Sequence, residues 1–171
     1  MSRVGTVNYH VHKPEPQAFE IDAGGVVGKL VSPELVTTEV SLLDVRAKDA
    51  SVSFAQDGVA FASLPSSVSK FTAGTWQAAY ARELQEFLTN TLGAQEVVVF
   101  DHTVRQDDPN ATRKPARNVH SDYSPEGAEK RLTDILGVER GAEWSRGHFA
   151  FIYVWRSVVH PIYSAPLAFL K

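Results

Sequence analysis

Cysteine is absent from the sequence. That excludes disulfides, thiolate nucleophiles and zinc–thiolate centres together, and it accords with a reducing compartment. Positive charge is also scarce. Seventeen Lys and Arg stand against 20 Asp and Glu, for a formal net charge of −3. A nucleic-acid surface needs clustered basic side chains. The densest run, Arg113-Lys114-Pro115-Ala116-Arg117, holds three and reads as solvated surface. No apolar run approaches the ~20 residues that cross a bilayer. The opening Met-Ser-Arg-Val-Gly lacks the apolar stretch of a signal peptide. No nucleophile elbow, P-loop or dinucleotide fingerprint occurs. These absences set the expectation of a soluble, cytoplasmic protein with no nucleic-acid or membrane partner. Nothing in the pattern sets an oligomeric state.

What is present suffices for one domain. The chain has 171 residues, 43% of them hydrophobic and 22% charged, enough for a core of its own. Val4 to His12 alternates as a strand does, and the Pro14 and Pro16 region ends it. Residues 24–33 read as a glycine-rich loop. Strands are expected at 36–46, rich in Thr, Val and Leu, and at 59–64 after the Asp57-Gly58 turn. A helix is expected over 74–92. There Trp76, Tyr80, Leu84, Phe87, Leu88 and Leu92 share one face, and Gly93 is placed to cap the end. Residues 96–105, with four consecutive apolar side chains, predict a strand buried on both faces. A polar loop at 106–116 and a short strand at 118–122 follow. A second helix should run from Pro125 to Gly137 with Ser124 as its N-cap, and 147–156 is the last clear strand. Many strands and two helices suggest a mostly β (α+β) domain.

Within the short strand stand His120 and Asp122. Residues two apart in a strand share a face, so an imidazole and a carboxylate project together. Two ligands on one strand can take adjacent positions on one metal. With no sulfur available, the donor set suits Fe(II) in a two-histidine, one-carboxylate facial triad, which leaves positions open for oxygen and a co-substrate. The bland alternative is a polar pair at a strand end.

The surrounding residues carry more information than the pair. "VVVFDHTVRQ", then "RNVHSDYSPEGAEKRL", then "FAFIYVWRSVVHPIYSAPLAF" occur in this order, and the opening "VNYHVHKPE" joins them. This succession resembles the CmcJ/NvfI family of non-haem iron, 2-oxoglutarate-dependent oxygenases, which includes cephalosporin 7-alpha-methoxylase-like proteins and fungal hydroxylase/desaturases. The resemblance covers nearly the whole chain. It implies a double-stranded β-helix (jelly-roll) core with flanking helices, Fe(II) as cofactor and 2-oxoglutarate as co-substrate. It implies His120 and Asp122 as metal ligands, with no catalytic side chain beyond them. The expected reaction is hydroxylation or desaturation of a small natural-product-like molecule by molecular oxygen, with 2-oxoglutarate converted to succinate.

The match has departures. In the family, the distal histidine and the arginine that pairs with 2-oxoglutarate lie beyond the position matching Lys171. The expectation is therefore a single jelly-roll oxygenase-like domain, 1–171, lacking the family's C-terminal part. His160 is the candidate third ligand, while His148 reads as an edge residue. Tyr153 stands where the family has Asn, and Ser157 where it has Pro. Tyr123, Trp155 and Arg156 are candidates for substrate or co-substrate binding, with Arg156 better read as one half of an internal ion pair. Asp101 and His102 resemble an acid/base pair that supports the fold behind the metal. Arg117 has the opposite parity to His120. His10 and His12 share the two-residue spacing without a nearby carboxylate. Two readings compete with the oxygenase. One is a catalytically silent jelly-roll binding protein without a complete triad. The other is a cupin-type metal enzyme, which would use more histidines.

Overall fold

The structure, a computed structural model, describes residues 3–14, 34–47, 52–71 and 74–169; the loop expected at 24–33 lies outside them. Strands β1 (Arg3–His10) and β2 (Leu35–Leu42) pair antiparallel, from Arg3 opposite Leu42 to His10 opposite Leu35. The Val11 amide continues the ladder by donating to the Glu34 carbonyl at 2.9 Å. Backbone groups in a strand alternate in direction. Odd-numbered residues of β1 therefore point at β2, and even-numbered residues point at the opposite, outer edge. Asn8 is even, and its carbonyl accepts from the Val119 amide at 2.8 Å. A segment more than a hundred residues away thus docks on the outer edge of β1.

Four helices follow among the described residues. α1 (Phe54–Asp57) is one turn, capped by Ser53 and closed by Gly58. α2 (Trp76–Leu92) ends as its sequence predicts. Gly93 adopts φ 66° and its amide donates to the Thr89 carbonyl, a left-handed conformation that costs glycine least. α3 (Pro125–Leu136) starts as predicted, with the Ser124 hydroxyl accepting from the Gly127 amide at 3.1 Å. α4 (Val138–Ser145) follows directly after Gly137. At Gly141 a Cβ would lie 3.0 Å from Thr133 Cα, so the missing side chain is what lets α4 pack onto α3. None of these helices is long and apolar enough to cross a membrane.

The core forms on the apolar face of α2. Tyr80 and Leu84 are buried there with Phe71, and Leu132 is buried in α3. Phe71 meets Tyr80 edge to face at 5.1 Å and Trp76 at 5.2 Å, arrangements that aromatic quadrupoles favour. Leu64, Val68, Val99, Val104 and Val158 pack around this cluster. Arg156 lays its guanidinium over the Phe71 and Tyr80 rings at 5.6 and 5.8 Å. Glu83, on the same helix, accepts from the Ser66 hydroxyl at 2.6 Å and from the Ser67 amide and hydroxyl at 2.8 and 2.6 Å. That clasp ties the 64–68 turn to α2.

The fold departs from the sequence reading in its strands. Segments 59–64, 96–105, 118–122 and 147–156 form no ladder among the described residues. Apolar runs mark segments that pack inward, and Val99, Val104 and Val158 do pack against the α2 cluster. A strand needs in addition a neighbour whose backbone answers its N–H and C=O groups. The helices α1 and α4 were not anticipated.

The Tyr80 hydroxyl is buried with no hydrogen-bond partner among the described residues. An unsatisfied buried hydroxyl costs about 1–3 kcal/mol. Tyr80→Phe should therefore leave stability to urea unchanged or raise it, whereas Leu84→Ala should lower it by about 2–5 kcal/mol. The Ser66 and Ser67 hydroxyls and the Ser67 amide hold the Glu83 carboxyl below its ordinary value of 4.5. The clasp therefore stabilises fully above that value and is lost as pH falls through the lowered one. Glu83→Gln should flatten that part of the acid stability profile, read by circular dichroism.

Candidate metal centre

Segment 117–123 holds the candidate ligands, and the outer edge of β1 holds the segment. Asn8 works in three directions. Its carbonyl takes the Val119 amide, its Nδ2 donates to the Arg117 carbonyl at 2.7 Å, and its Oδ1 accepts from the Thr37 hydroxyl of β2 at 2.8 Å. Next along, the Asn118 side-chain Nδ2 lies 2.8 Å from Nε2 of His10, the last residue of β1. On the other flank, Arg117 grips both oxygens of Asp107 at 2.8 and 2.9 Å and reaches the Ser164 hydroxyl at 3.4 Å. Ser164 and the Arg117 guanidinium hold the Asp107 carboxyl below its usual range. Arg117 is thus committed to Asp107 and Ser164.

So held, His120 places Nδ1 2.9 Å from the carbonyl of Asn118. A carbonyl only accepts, so Nδ1 carries the proton. Its other nitrogen, Nε2, faces Asp122 Oδ1 at 3.5 Å. A charge-assisted contact between a protonated ring and a carboxylate would close to about 2.7–2.9 Å. The wider separation leaves room for one ion bonded to both atoms at ~2.0–2.2 Å. Imidazole and carboxylate are the donors that Fe(II) accepts, and an Nδ1–H bonded to a backbone carbonyl is the usual support for a metal-ligating Nε2. The pair fits as two donors. Among the described residues no third His, Cys, Asp or Glu joins them in a cluster.

The other candidates divide. Tyr123 lies beside the pair, its ring 4.8 Å from Phe151. Phe149 and Phe100 continue the stack from Phe151, and Arg131 of α3 caps it over Phe100 at 5.4 Å. Two residues on from Phe151, Tyr153 reaches Asp122. Its phenol is pushed above its ordinary value of 10.0, first by partial desolvation, then by the Asp122 carboxylate and by Tyr123. Tyr153 is 63% exposed, so burial is a weaker influence on this phenol than the neighbouring carboxylate. Trp155 is 49% exposed. Arg156, whose spacing suggested a buried ion pair, is exposed and belongs to the α2 aromatic cluster, with Glu83 as its nearby carboxylate. His160 is exposed, its Nδ1 on the Pro161 carbonyl. His102 packs on Trp76 at 5.1 Å, whereas Asp101 is exposed and accepts from the Thr103 hydroxyl. His148 is exposed.

Asn8 and Asn118 had no signal as site residues in the sequence, and His10 stood out only for its spacing from His12, because their relation to His120 arises only when β1 and segment 117–120 meet. Tyr153 was visible as a departure from the family pattern but not as a neighbour of Asp122.

A family model described as an oxidoreductase/YMDC permease-like domain matches residues 7–171. The Fe(II)/2-oxoglutarate-dependent dioxygenase NvfI of Aspergillus novofumigatus is 28% identical over 166 residues, 95% of this chain and 49% of that protein. The chain belongs to the CmcJ/NvfI oxidoreductase family. The hydroxylase/desaturase CTB9 of Cercospora beticola is similar at 29% identity over 178 residues, 94% of this chain and 54% of that protein. The hydroxylase/desaturase EfuI of Hormonema carpetanum shares 28% over 136 residues, 70% and 46% respectively. The chain spans about half the length of the curated relatives it matches. No solved structure matches it.

A raised phenol value means that the fold holds the Tyr153 proton more tightly than the unfolded chain does. The corresponding stability is present below pH 10.0 and is lost as pH rises through the raised value. In an alkaline titration followed by phenolate absorbance, one tyrosine should ionise late. Tyr153→Phe should remove that late phase, and Asp122→Asn should move it to lower pH without abolishing it.

Proposed function

We propose that the protein contributes the metal-binding face of an Fe(II)- and 2-oxoglutarate-dependent oxygenase that hydroxylates or desaturates a small natural-product-like molecule. The carrying observation is the His120–Asp122 pair, with Nδ1 already committed to a carbonyl and Nε2 turned toward the carboxylate. Membership in an oxidoreductase family supports the reading. So do the names of relatives that are themselves dioxygenases and hydroxylase/desaturases. A double-stranded β-helix core and a cytoplasmic location are parts of the same proposal.

His120 and Asp122 would hold the iron. When bound, iron with 2-oxoglutarate and oxygen supplies the oxidising power for C–H cleavage, and 2-oxoglutarate leaves as succinate and carbon dioxide. The protein's own task is placement. The Asn118 carbonyl holds the proton of the neutral His120 ring on Nδ1, which leaves Nε2 as the lone-pair donor. Asp122 brings one negative charge toward a dication. Tyr123, stacked on Phe151, offers an apolar wall next to the pair. His160 as third ligand and Trp155 as a substrate contact belong to the proposal as well. Arg156 is reassigned to holding the core.

The competing reading, a jelly-roll binding protein without a complete triad, draws on the described residues grouping two donors and no third. Titration with Fe(II) under anaerobic conditions separates the two. Binding to the wild-type chain, lost in His120→Ala and in Asp122→Ala, is the expected result. Unchanged affinity in either variant would reject the site. With iron, a suitable substrate and 2-oxoglutarate, succinate should form in step with product.

A further inference from the structure

We infer that Asn8 and Asn118 are positioning residues of the metal centre, which fix the tautomer of His120 by clamping its segment to the outer edge of β1. The inference deepens the metal-site reading above and rests on it for its functional consequence. Its geometric content stands by itself.

Imidazole has two nitrogens, and a neutral ring carries its proton on either. Only the Nδ1–H form leaves Nε2 free as a ligand. His120 takes that form when the Asn118 carbonyl sits at Nδ1, 2.9 Å away. That carbonyl belongs to a residue two before the ring, in a half-buried segment that is not itself assigned to a strand. Something else must hold it. Three contacts do so, all from β1: Asn8 Nδ2 to the Arg117 carbonyl, the Val119 backbone N–H to the Asn8 carbonyl, and the Asn118 side-chain Nδ2 to His10 Nε2. Arg117, Asn118 and Val119 are thus pinned in succession, and the carbonyl aimed at His120 lies between two of the pins. The Asn8 side chain is itself oriented by Thr37 across the sheet. With its donor group given to Arg117 and its acceptor to Thr37, the amide has little reason to rotate.

The experiment uses the full chain. Nitrogen NMR of the histidine rings reads the His120 tautomer without metal. Co(II) titration then reads affinity. The wild type should show the proton on Nδ1. Asn8→Ala and Asn118→Ala should each give a mixed tautomer at His120 and weaken Co(II) binding about tenfold to a hundredfold, the usual effect of removing a group that orients a metal ligand. Asn118→Gln should recover part of both. Asp107→Ala cuts the tie on the opposite flank of Arg117 and should change neither. If Asn8→Ala or Asn118→Ala fails to fold, His10→Ala removes the partner of the Asn118 side-chain amide from the end of β1 and should shift the tautomer in the same direction. A wild-type proton on Nε2, or a tautomer unmoved in the folded asparagine or His10 variants, would overturn the inference. Equal losses in Asp107→Ala would also overturn it, because they would point to general loosening. A wild-type chain that binds no Co(II) but whose tautomer follows the asparagines would sink the metal reading and leave the clamp standing.

Discussion

One hydrogen bond, from the His120 ring to the carbonyl two residues before it, governs the chemistry available to this chain. A free imidazole divides its proton between two nitrogens and rotates about two torsions. A carbonyl fixed at Nδ1 removes both freedoms at once, and it does so whether or not an ion is bound. The carboxylate of Asp122 then meets a lone pair. Two such groups facing each other at 3.5 Å repel weakly unless a cation stands between them, so the arrangement favours an occupant of positive charge. The restraint comes from the backbone, which cannot titrate. Preorganisation of this kind reduces what binding must later spend on ordering the ligands.

A second system supports Asp122 and works by different physics. The stack from Phe100 through Phe151 to Tyr123, with Arg131 at one end, is built from ring contacts between 4.8 and 5.7 Å. It links α3 to the 147–153 segment and brings Tyr153 up to Asp122. The α2 cluster, with Arg156 across its rings and Glu83 pinning the 64–68 turn, organises the other part of the described structure. Extended segments are therefore fastened mainly by side chains. The same apolar alternation that would face a jelly-roll interior here meets a helix face and an aromatic row.

Legibility in the sequence followed the range of the interactions. α2 and α3 were readable with their ends, because Gly93 and the Ser124–Pro125 pair act within one turn of themselves. The His120–Asp122 pair was readable for the same reason. α4 was not, since "VERGAEWS" carries few apolar residues and a glycine in the middle, and its justification is the close approach to Thr133 in another helix. The segments read as strands at 96–105 and 147–156 show the limit of periodicity. Their apolar character was legible, and Val99 and Val104 pack on the α2 cluster while Phe151 joins the aromatic row, but backbone partners are a property of the whole. Arg156 looked like one member of a buried ion pair because a charge in an apolar run asks for compensation. Ring faces supplied much of it, and the residue stayed exposed. Asn8 and Asn118 looked like ordinary strand and loop polars.

The contact between Asn8 and Arg117 spans 109 positions of sequence. Closing so large a loop is entropically unfavourable, and pairings of that separation form late when a chain collapses. Helices α2 and α3, whose stabilising contacts are mostly local, can be complete before it exists. The ring position of His120 therefore settles only once β1 and segment 117–119 have met. A partly folded chain would carry His120 and Asp122 before the clamp that sets their mutual geometry exists.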